Sequence, residues 1–282
     1  MALDKEPSDK KSFNTSSPNK DSTGRVLLVA GIVCLVCAVF VATAAVALRP
    51  VQAANKLLDT QRNILVAAGL YRNGANVAEL FSRSVEPTLV DLQTGEAVVD
   101  ARSVGIVDID AYDQKSASKD PMLSEAIPGD EDIASLKRKV HYAKVYMIRD
   151  AGGTLEKIVL PVSGYGLWST MYGYLVLAND FNTVVGLTFT DHGETPGLGG
   201  EIDNPKWKAQ WLGKKIYDEH GKIAAKLKKG SVNADVAAEK LHQVDGLAGA
   251  TLTSDGVTRL VQYWLGDHGF GPFLKNLKQR RG

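Results

Sequence analysis

One threonine, Thr251, lies in a run of small residues that could hold a phosphate. The run is DGLAGATLTS, residues 245–254. Apolar residues at i, i+3, i+4, i+7 and i+8 follow it and predict a helix: Val257, Leu260, Val261, Trp264 and Leu265. Thr253 or Ser254 is the predicted N-cap of that helix. Thr251 is therefore expected just ahead of a helix N-terminus, where free N–H groups and the helix dipole favour a phosphate. The alternative is a capped loop without a ligand.

Other residues that could react or bind a metal lack the partners that such a site needs. His192 lies in DHGETPGLGGEID, residues 191–203, with no Cys or His nearby in sequence, so a hydrogen-bonded loop histidine is predicted. Cys34 and Cys37 have C-x-x-C spacing inside an apolar stretch, but a closed metal site needs about four ligands. They are interpreted as structural, with a site shared with a partner protein as the alternative. No metal site and no catalytic side chain is predicted.

The apolar stretch that holds these cysteines predicts a membrane span. Residues 26–48 contain no charged residue and are bounded by Arg25 and Arg49. As a helix they would extend about 35 Å, enough to cross a bilayer. Ala45-Val46-Ala47 also fits a signal-peptidase site, but apolar cores of signal peptides usually span only about 7–15 residues. A retained anchor is therefore favoured over a cleaved signal.

The basic residues on either side of the span indicate its orientation. The preceding tail, residues 1–24, is polar and is predicted to be disordered. The excess of Lys and Arg is on the N-terminal side, which favours a cytoplasmic N-terminus: Lys5, Lys10, Lys11, Lys20 and Arg25 precede the span, and Arg49, Lys56, Arg62 and Arg72 follow it. The net charge of +1 gives no indication of nucleic-acid binding.

The elements that must position Thr251 follow the span. Helical spacing continues from residue 51 to about residue 70. Two pairs of strands are predicted, at 143–150 with 155–164 and at 172–178 with 183–190. Between the pairs, GYGLWSTMYG (164–173) is an aromatic, glycine-rich connection that could lie against a flat ring. Asn204 and Pro205 are expected to cap and begin a short helix that ends near Gly213.

The run around Thr251 resembles the motif D-G-x-(S/A)-G-A-T-x-(S/T) of the FMN-binding domain family. In that family, FMN is attached through its phosphate to the hydroxyl of the last threonine in (S/T)GAT, which matches Thr251. Ala248 stands where the family has Ser or Thr and leaves the acceptor in place. The resemblance implies a phosphoester between FMN and Thr251.

Three motifs in one order make the resemblance more specific. GYGLWSTMYG, then ETPGLGGEI, then DGLAGATLTS, all after one span, resemble the C subunits of bacterial sodium-translocating NADH:quinone oxidoreductases. The G subunits of Rnf complexes are less similar. RNILVAAGL (62–70) and GDHGFGPFL (266–274) agree, so the resemblance covers residues 25–277.

This resemblance implies an α+β fold, with one N-terminal transmembrane helix and an FMN-binding domain built on a mainly antiparallel sheet with flanking helices. The expected organisation is a cytoplasmic tail (1–24), a transmembrane helix (25–49), a membrane-proximal helical segment (50–84), a periplasmic FMN-binding domain (85–277) and a C-terminal tail (278–282). Besides Thr251, the residues expected around the flavin are Gly249, Ala250, Thr253, Ser254, Leu167, Trp168, Ser169, Thr170, Glu194, Thr195, Gly197, Leu198 and Gly199.

The function implied by the resemblance is electron relay within a six-subunit inner-membrane complex. That complex oxidises NADH, reduces ubiquinone and exports sodium, and a separate flavin transferase attaches the FMN from FAD. The chain has no G-x-G-x-x-G after a strand, so it is expected to be inactive with NADH alone. The alternatives are a covalent-FMN subunit of an Rnf-type or other periplasmic electron chain, and a non-redox, membrane-anchored assembly subunit.

Overall fold

A computed structural model describes residues 22–150 and 152–280. Most of the predicted N-terminal tail, and the last two residues of the predicted C-terminal tail, lie outside these ranges. The described chain forms two compact units, one ending at Lys56 and one beginning at Leu57. In chain order its helices and strands are α1 (Thr23–Ala67), α2 (Val77–Ser84), β1 (Val85–Asp91), α3 (Gln114–Ala117), β2 (Ser124–Ala126), β3 (Arg138–Val140), β4 (Tyr142–Arg149), β5 (Leu155–Tyr165), β6 (Thr170–Ala178), β7 (Val184–Asp191), α4 (Pro205–Ala209), β8 (Lys226–Lys228), α5 (Ala237–His242), β9 (Gln243–Asp245), α6 (Thr251–Leu265) and α7 (Gly271–Gln279).

The predicted span and the helical segment after it form one continuous helix, α1. It is long and apolar enough to cross a membrane, with a mean hydropathy of 3.0 in its most apolar window. Cys34 and Cys37 are exposed free thiols on this helix. Pro50 lies inside α1, between the predicted span and the helical segment after it. Proline removes one backbone hydrogen bond; here helix-forming residues on both sides, among them several alanines, keep the remaining turns intact.

The C-terminus of α1 is closed by a Schellman motif. Gly69 has a φ of 70°, a left-handed conformation that glycine adopts without strain. Its N–H donates to the Val66 carbonyl at 3.0 Å, and the Leu70 N–H donates to the Leu65 carbonyl at 2.8 Å. Lys157 on β5 adds a donor, with Nζ 3.2 Å from the Ala68 carbonyl oxygen. The helix therefore ends against the sheet with the carbonyls of Leu65, Val66 and Ala68 bonded.

Replacing Lys157 with methionine should lower the free energy of unfolding by roughly 0.3–1 kcal/mol, because a cation is lost from the C-terminus of α1. Denaturant unfolding of the full chain in detergent measures this change. Lys157→Arg keeps the charge and is the matched control. Equal unfolding midpoints for Lys157→Met and the wild type would contradict the capping role.

Five strands form the antiparallel sheet of the second unit, in the order β1-β4-β5-β6-β7. Both predicted strand pairs are present, and the second strand of the first pair extends to Tyr165, where it pairs with Thr170. Two shorter pairs, β2 with β3 and β8 with β9, lie outside this sheet. The mainly antiparallel α+β fold expected from the resemblance is confirmed.

Each face of the sheet is covered by a separate hydrophobic cluster. On one face, Ile64 and Leu65 of α1 pack with Phe81 of α2 against Val159 and Val176. The other face carries the larger cluster, in which α6 packs on β5. The residues predicted from helical spacing are buried on this face: Val257, Leu260, Val261, Trp264 and Leu265. This packing fixes α6, and therefore Thr251, relative to the ends of β5 and β6.

The short helix between β7 and β8 begins as predicted. Asn204 is the N-cap of α4, and its side-chain oxygen accepts the Lys206 N–H at 3.0 Å. The helix ends at Ala209 instead of near Gly213, and turns complete the segment. Trp207 and Trp211 are buried against each other with ring centroids 6.2 Å apart.

Candidate functional site

Thr251 is exposed at the first position of α6. The prediction that Thr253 or Ser254 caps this helix was wrong. The N-cap position is held by Ala250, which has no side-chain oxygen, and none of the described side chains caps the helix. Thr253 and Ser254 instead lie in the first turn, where they are buried. The N–H groups at the start of α6 therefore keep their capacity to bind an anion.

The hydroxyl groups in the first turn of α6 differ in their bonding. Thr253 Oγ1 donates to Glu194 Oε2 at 2.6 Å. Ser254 Oγ donates to the Ala250 carbonyl at 3.0 Å and accepts the Leu247 N–H at 2.9 Å. Within residues 22–150 and 152–280, no hydrogen bond occupies the Thr251 hydroxyl. Of these three hydroxyl groups, only that of Thr251 is both exposed and unbonded to the described chain.

Glu194 joins the predicted loops beneath the surface. It is only 5% exposed. Besides the Thr253 hydroxyl, its carboxylate accepts the N–H groups of Trp168 at 3.0 Å, Leu167 at 3.1 Å and Ser169 at 3.4 Å. The structure therefore brings together the loop 166–169, the segment 192–199 and the first turn of α6, as the sequence motifs indicated.

Hydrogen bonding sets the charge state of Glu194. Burial by itself raises the pKa of this carboxyl group, but the hydrogen bonds from Thr253 and from the loop N–H groups outweigh it. The net effect lowers the pKa below its ordinary value. Glu194 is therefore ionised at neutral pH.

This lowered pKa predicts how the stability of the protein depends on pH. The ionised form of Glu194 stabilises the fold at pH values above about 4.3, the ordinary pKa of a glutamate. That contribution should be lost as the pH falls from there through the lower folded-state pKa. Unfolding free energies of wild type and Glu194→Gln, measured in denaturant from pH 7 to pH 3, should differ by a constant amount near neutrality and converge in acid. A difference that stays constant down to pH 3 would contradict this assignment.

Glycines permit the close approach of these segments. A Cβ atom on Gly166 would lie 2.5 Å from Glu194 Oε1. On Gly199, it would lie 2.6 Å from Thr253 Oγ1 and 2.8 Å from Glu194 Oε2. Side chains at these positions would displace the carboxylate or the hydroxyl group that it binds.

An apolar rim lies on and beside the segments that Glu194 joins. Its members are exposed large side chains in these three segments or, for Tyr165, directly before one of them. Their exposed fractions are 39–65%: Tyr165, Leu167, Trp168, Leu198 and Leu252. Leu198 approaches the α6 segment closely, with Cδ2 3.1 Å from the position of a Cβ on Gly249. Exposed apolar side chains on neighbouring segments are suited to cover a flat ring.

The remaining predicted residues occupy the same region. Ser169 Oγ accepts the Gly193 N–H at 2.6 Å, which ties the loop 166–169 to the segment after β7. Thr170 begins β6, and Thr195 and Gly197 lie at the surface. Tyr165 belongs to the aromatic stretch 164–173 that was expected to lie against a flat ring, whereas Leu252 was not predicted. Leu252 could have been recognised as an apolar residue next to Thr251 that lies off the buried stripe of the helix.

His192 is a hydrogen-bonded loop histidine, as predicted. Its Nδ1 accepts the Glu194 N–H at 3.2 Å, so the ring proton is on Nε2, which bonds Asp203 Oδ2 at 2.8 Å. Four aspartates between residues 108 and 132 accept backbone N–H groups. Asp108 and Asp120 do so in turns, Asp113 caps α3, and Asp132 binds the N–H of Leu136. Among the described residues, no group of three or more His, Cys, Asp or Glu side chains could hold a metal ion.

An exposed threonine, a helix N-terminus and exposed apolar side chains are features suited to the phosphate and the ring system of a flavin. The class that they indicate is that of the FMN-binding domains. Residues 166–266 match the FMN-binding domain family. This match includes the loop 166–169, the segment 192–199 and the first turn of α6.

The relatives of the whole chain are more specific. The C subunit of the Na(+)-translocating NADH-quinone reductase of Pseudomonas aeruginosa is 54% identical over 93% of this chain and 98% of that protein. The corresponding protein of Yersinia pestis is 45% identical over 93% of this chain and 95% of that protein. The crystal structure of Shewanella oneidensis NqrC is similar with a TM-score of 0.72 and 36% identity, covering 80% of this chain and 99% of that one. The chain therefore belongs to the family of Na(+)-translocating NADH-quinone reductase C subunits.

Proposed function

We propose that this chain is the electron-relay subunit of a sodium-translocating NADH:quinone oxidoreductase and carries FMN as a phosphoester on Thr251. The observation that carries the proposal is the exposed Thr251 hydroxyl at the N-terminus of α6, where none of the described side chains binds the hydroxyl or caps the helix. A phosphate on this oxygen would lie beside the free N–H groups and the positive end of the helix dipole.

The residues of the site fit FMN in chemical type. The start of α6 supplies donors for the phosphate, and the apolar rim offers Leu167, Trp168 and Leu198 to the ring system. Three buried residues are hydrogen-bonded within the protein and would stabilise the segments that form the site: Glu194, Thr253 and Ser254. When bound, the isoalloxazine supplies the redox chemistry, while the protein supplies position and electrostatics.

The proposed setting is the bacterial inner membrane. Helix α1 would anchor the chain, and the excess of basic residues before the span supports a cytoplasmic N-terminus and a periplasmic flavin domain. The proposed partners are the other subunits of a six-subunit complex, membrane lipid, and a flavin transferase that uses FAD. A covalent bond prevents loss of the cofactor in a compartment without a flavin pool.

The decisive experiment is to express the full chain with an active flavin transferase and to examine the denatured band for flavin fluorescence. Mass spectrometry of the peptide that contains Thr251 should show an increase equal to FMN less one water. Copurifying subunits distinguish the proposed complex from an Rnf-type chain. A wild-type band without flavin, beside a control substrate that the transferase modifies, would favour the non-redox assembly subunit.

A further inference from the structure

Glu194 has a role that its predicted place among the flavin-binding residues does not describe. Its oxygens are occupied by donors of the protein itself. Oε1 accepts N–H groups of Leu167, Trp168 and Ser169, and Oε2 accepts the Thr253 hydroxyl at 2.6 Å and the Leu167 N–H at 3.2 Å. A buried carboxylate with these acceptor positions filled is poorly placed to bind a ligand directly.

The donors to Glu194 come from two segments that are far apart in sequence. Thr253 lies in the first turn of α6, two residues beyond Thr251, whereas residues 167–169 connect β5 to β6. The side chains of Leu167 and Trp168 in this loop form part of the exposed apolar rim. One carboxylate therefore links the helix that presents the attachment threonine to the loop that presents the rim.

The link has little freedom to rearrange. Gly166 and Gly199 leave no room for a Cβ between the backbone and the carboxylate, as the distances of 2.5 and 2.8 Å to its oxygens show. Charge strengthens each hydrogen bond to the carboxylate, roughly doubling it relative to a neutral acceptor. The N–H groups of residues 167–169 point toward the carboxylate. Because backbone and side-chain directions are coupled, the directions of the side chains in this loop are fixed as well.

We infer that Glu194 is a positioning residue, which holds the loop 166–169 against the first turn of α6 so that the flavin site is formed before FMN is attached. The inference rests on the proposed function, because it assigns the loop to the flavin. Glu194 acts through Thr253 and the loop N–H groups, not by contact with the cofactor.

The first test uses the full chain in detergent, prepared without the transferase. Hydrogen exchange of the peptide that contains residues 166–170 is compared by mass spectrometry for wild type, Glu194→Gln, Thr253→Val and Thr253→Ser. Exchange should be about tenfold faster in Glu194→Gln and Thr253→Val, since each weakens or removes charge-assisted hydrogen bonds. Thr253→Ser keeps the hydroxyl and should restore the wild-type rate.

Glu201→Gln is the matched control. Glu201 lies seven residues after Glu194, in a 3-10 helix over Gly199–Asp203, but its carboxylate accepts the side-chain N–H of Asn204. In Glu201→Gln, the peptide with residues 166–170 should exchange at the wild-type rate. Unchanged exchange in Glu194→Gln, or equally fast exchange in Glu201→Gln, would overturn the inference.

The second test uses a flavin readout that a purely structural role would not change. The initial rate of covalent FMN attachment by purified transferase should fall in Glu194→Gln and Thr253→Val and recover in Thr253→Ser. The fluorescence anisotropy of the attached flavin should fall and recover in the same pattern. Faster exchange accompanied by wild-type attachment and anisotropy would overturn the inference. Absence of covalent flavin in the wild type itself would overturn the proposed function, and it is visible before any variant is compared.

Discussion

Replacing Thr251 with valine is expected to abolish covalent flavin while leaving the fold intact. Valine keeps the shape of threonine but has a methyl group where the phosphoester needs an oxygen. Thr251 is exposed and its hydroxyl bonds to none of the described residues, so the cost in stability should stay within about 0.5 kcal/mol. Flavin fluorescence of the denatured band measures attachment, and denaturant unfolding measures the fold.

Thr190→Val is the matched control for this experiment. Thr190 is also an exposed threonine, near the end of β7, and its hydroxyl donates to the Tyr172 carbonyl at 3.3 Å. Its variant should carry covalent flavin at the wild-type level. Covalent flavin that persists in Thr251→Val, mapped to another residue by peptide mass, would disprove the assigned acceptor.

Replacing Gly186 with alanine is expected to have the largest effect on stability. Gly186 lies in β7, where the end of α1 crosses the sheet, and a Cβ there would lie 2.3 Å from the Ala67 carbonyl oxygen. Both groups belong to regular backbone, so the strand or the helix end must move. Overpacking of this kind costs about 1–3 kcal/mol, and occasionally more. The midpoint of denaturant unfolding should fall accordingly.

Gly129→Ala provides the comparison for Gly186→Ala. A Cβ on Gly129 meets no atom within 4 Å, and its φ is not left-handed, so this variant should unfold like wild type. A Gly186→Ala protein as stable as Gly129→Ala would show that α1 does not press on β7 in solution.

The sequence by itself determined the local elements and indicated Thr251 as the proposed acceptor. Local patterns predicted these elements. They are the apolar stripe of α6, the alternating strands around residues 143–191 and the uncharged run of the span. The motif around Thr251 likewise lies within ten consecutive residues, 245–254. The resemblance to a flavin-binding family could therefore be recognised from order and spacing alone.

Only the tertiary structure decided what the polar residues of the site do. The sequence around Thr253 fits an N-cap. In the structure α6, which packs on β5, begins two residues earlier, at Thr251, and the Thr253 hydroxyl donates to Glu194 instead. The sequence around Gly186 does not indicate that the end of α1 lies over this residue, which only the structure shows. These roles depend on segments that are distant along the chain, and no local pattern encodes which donor will meet a buried carboxylate.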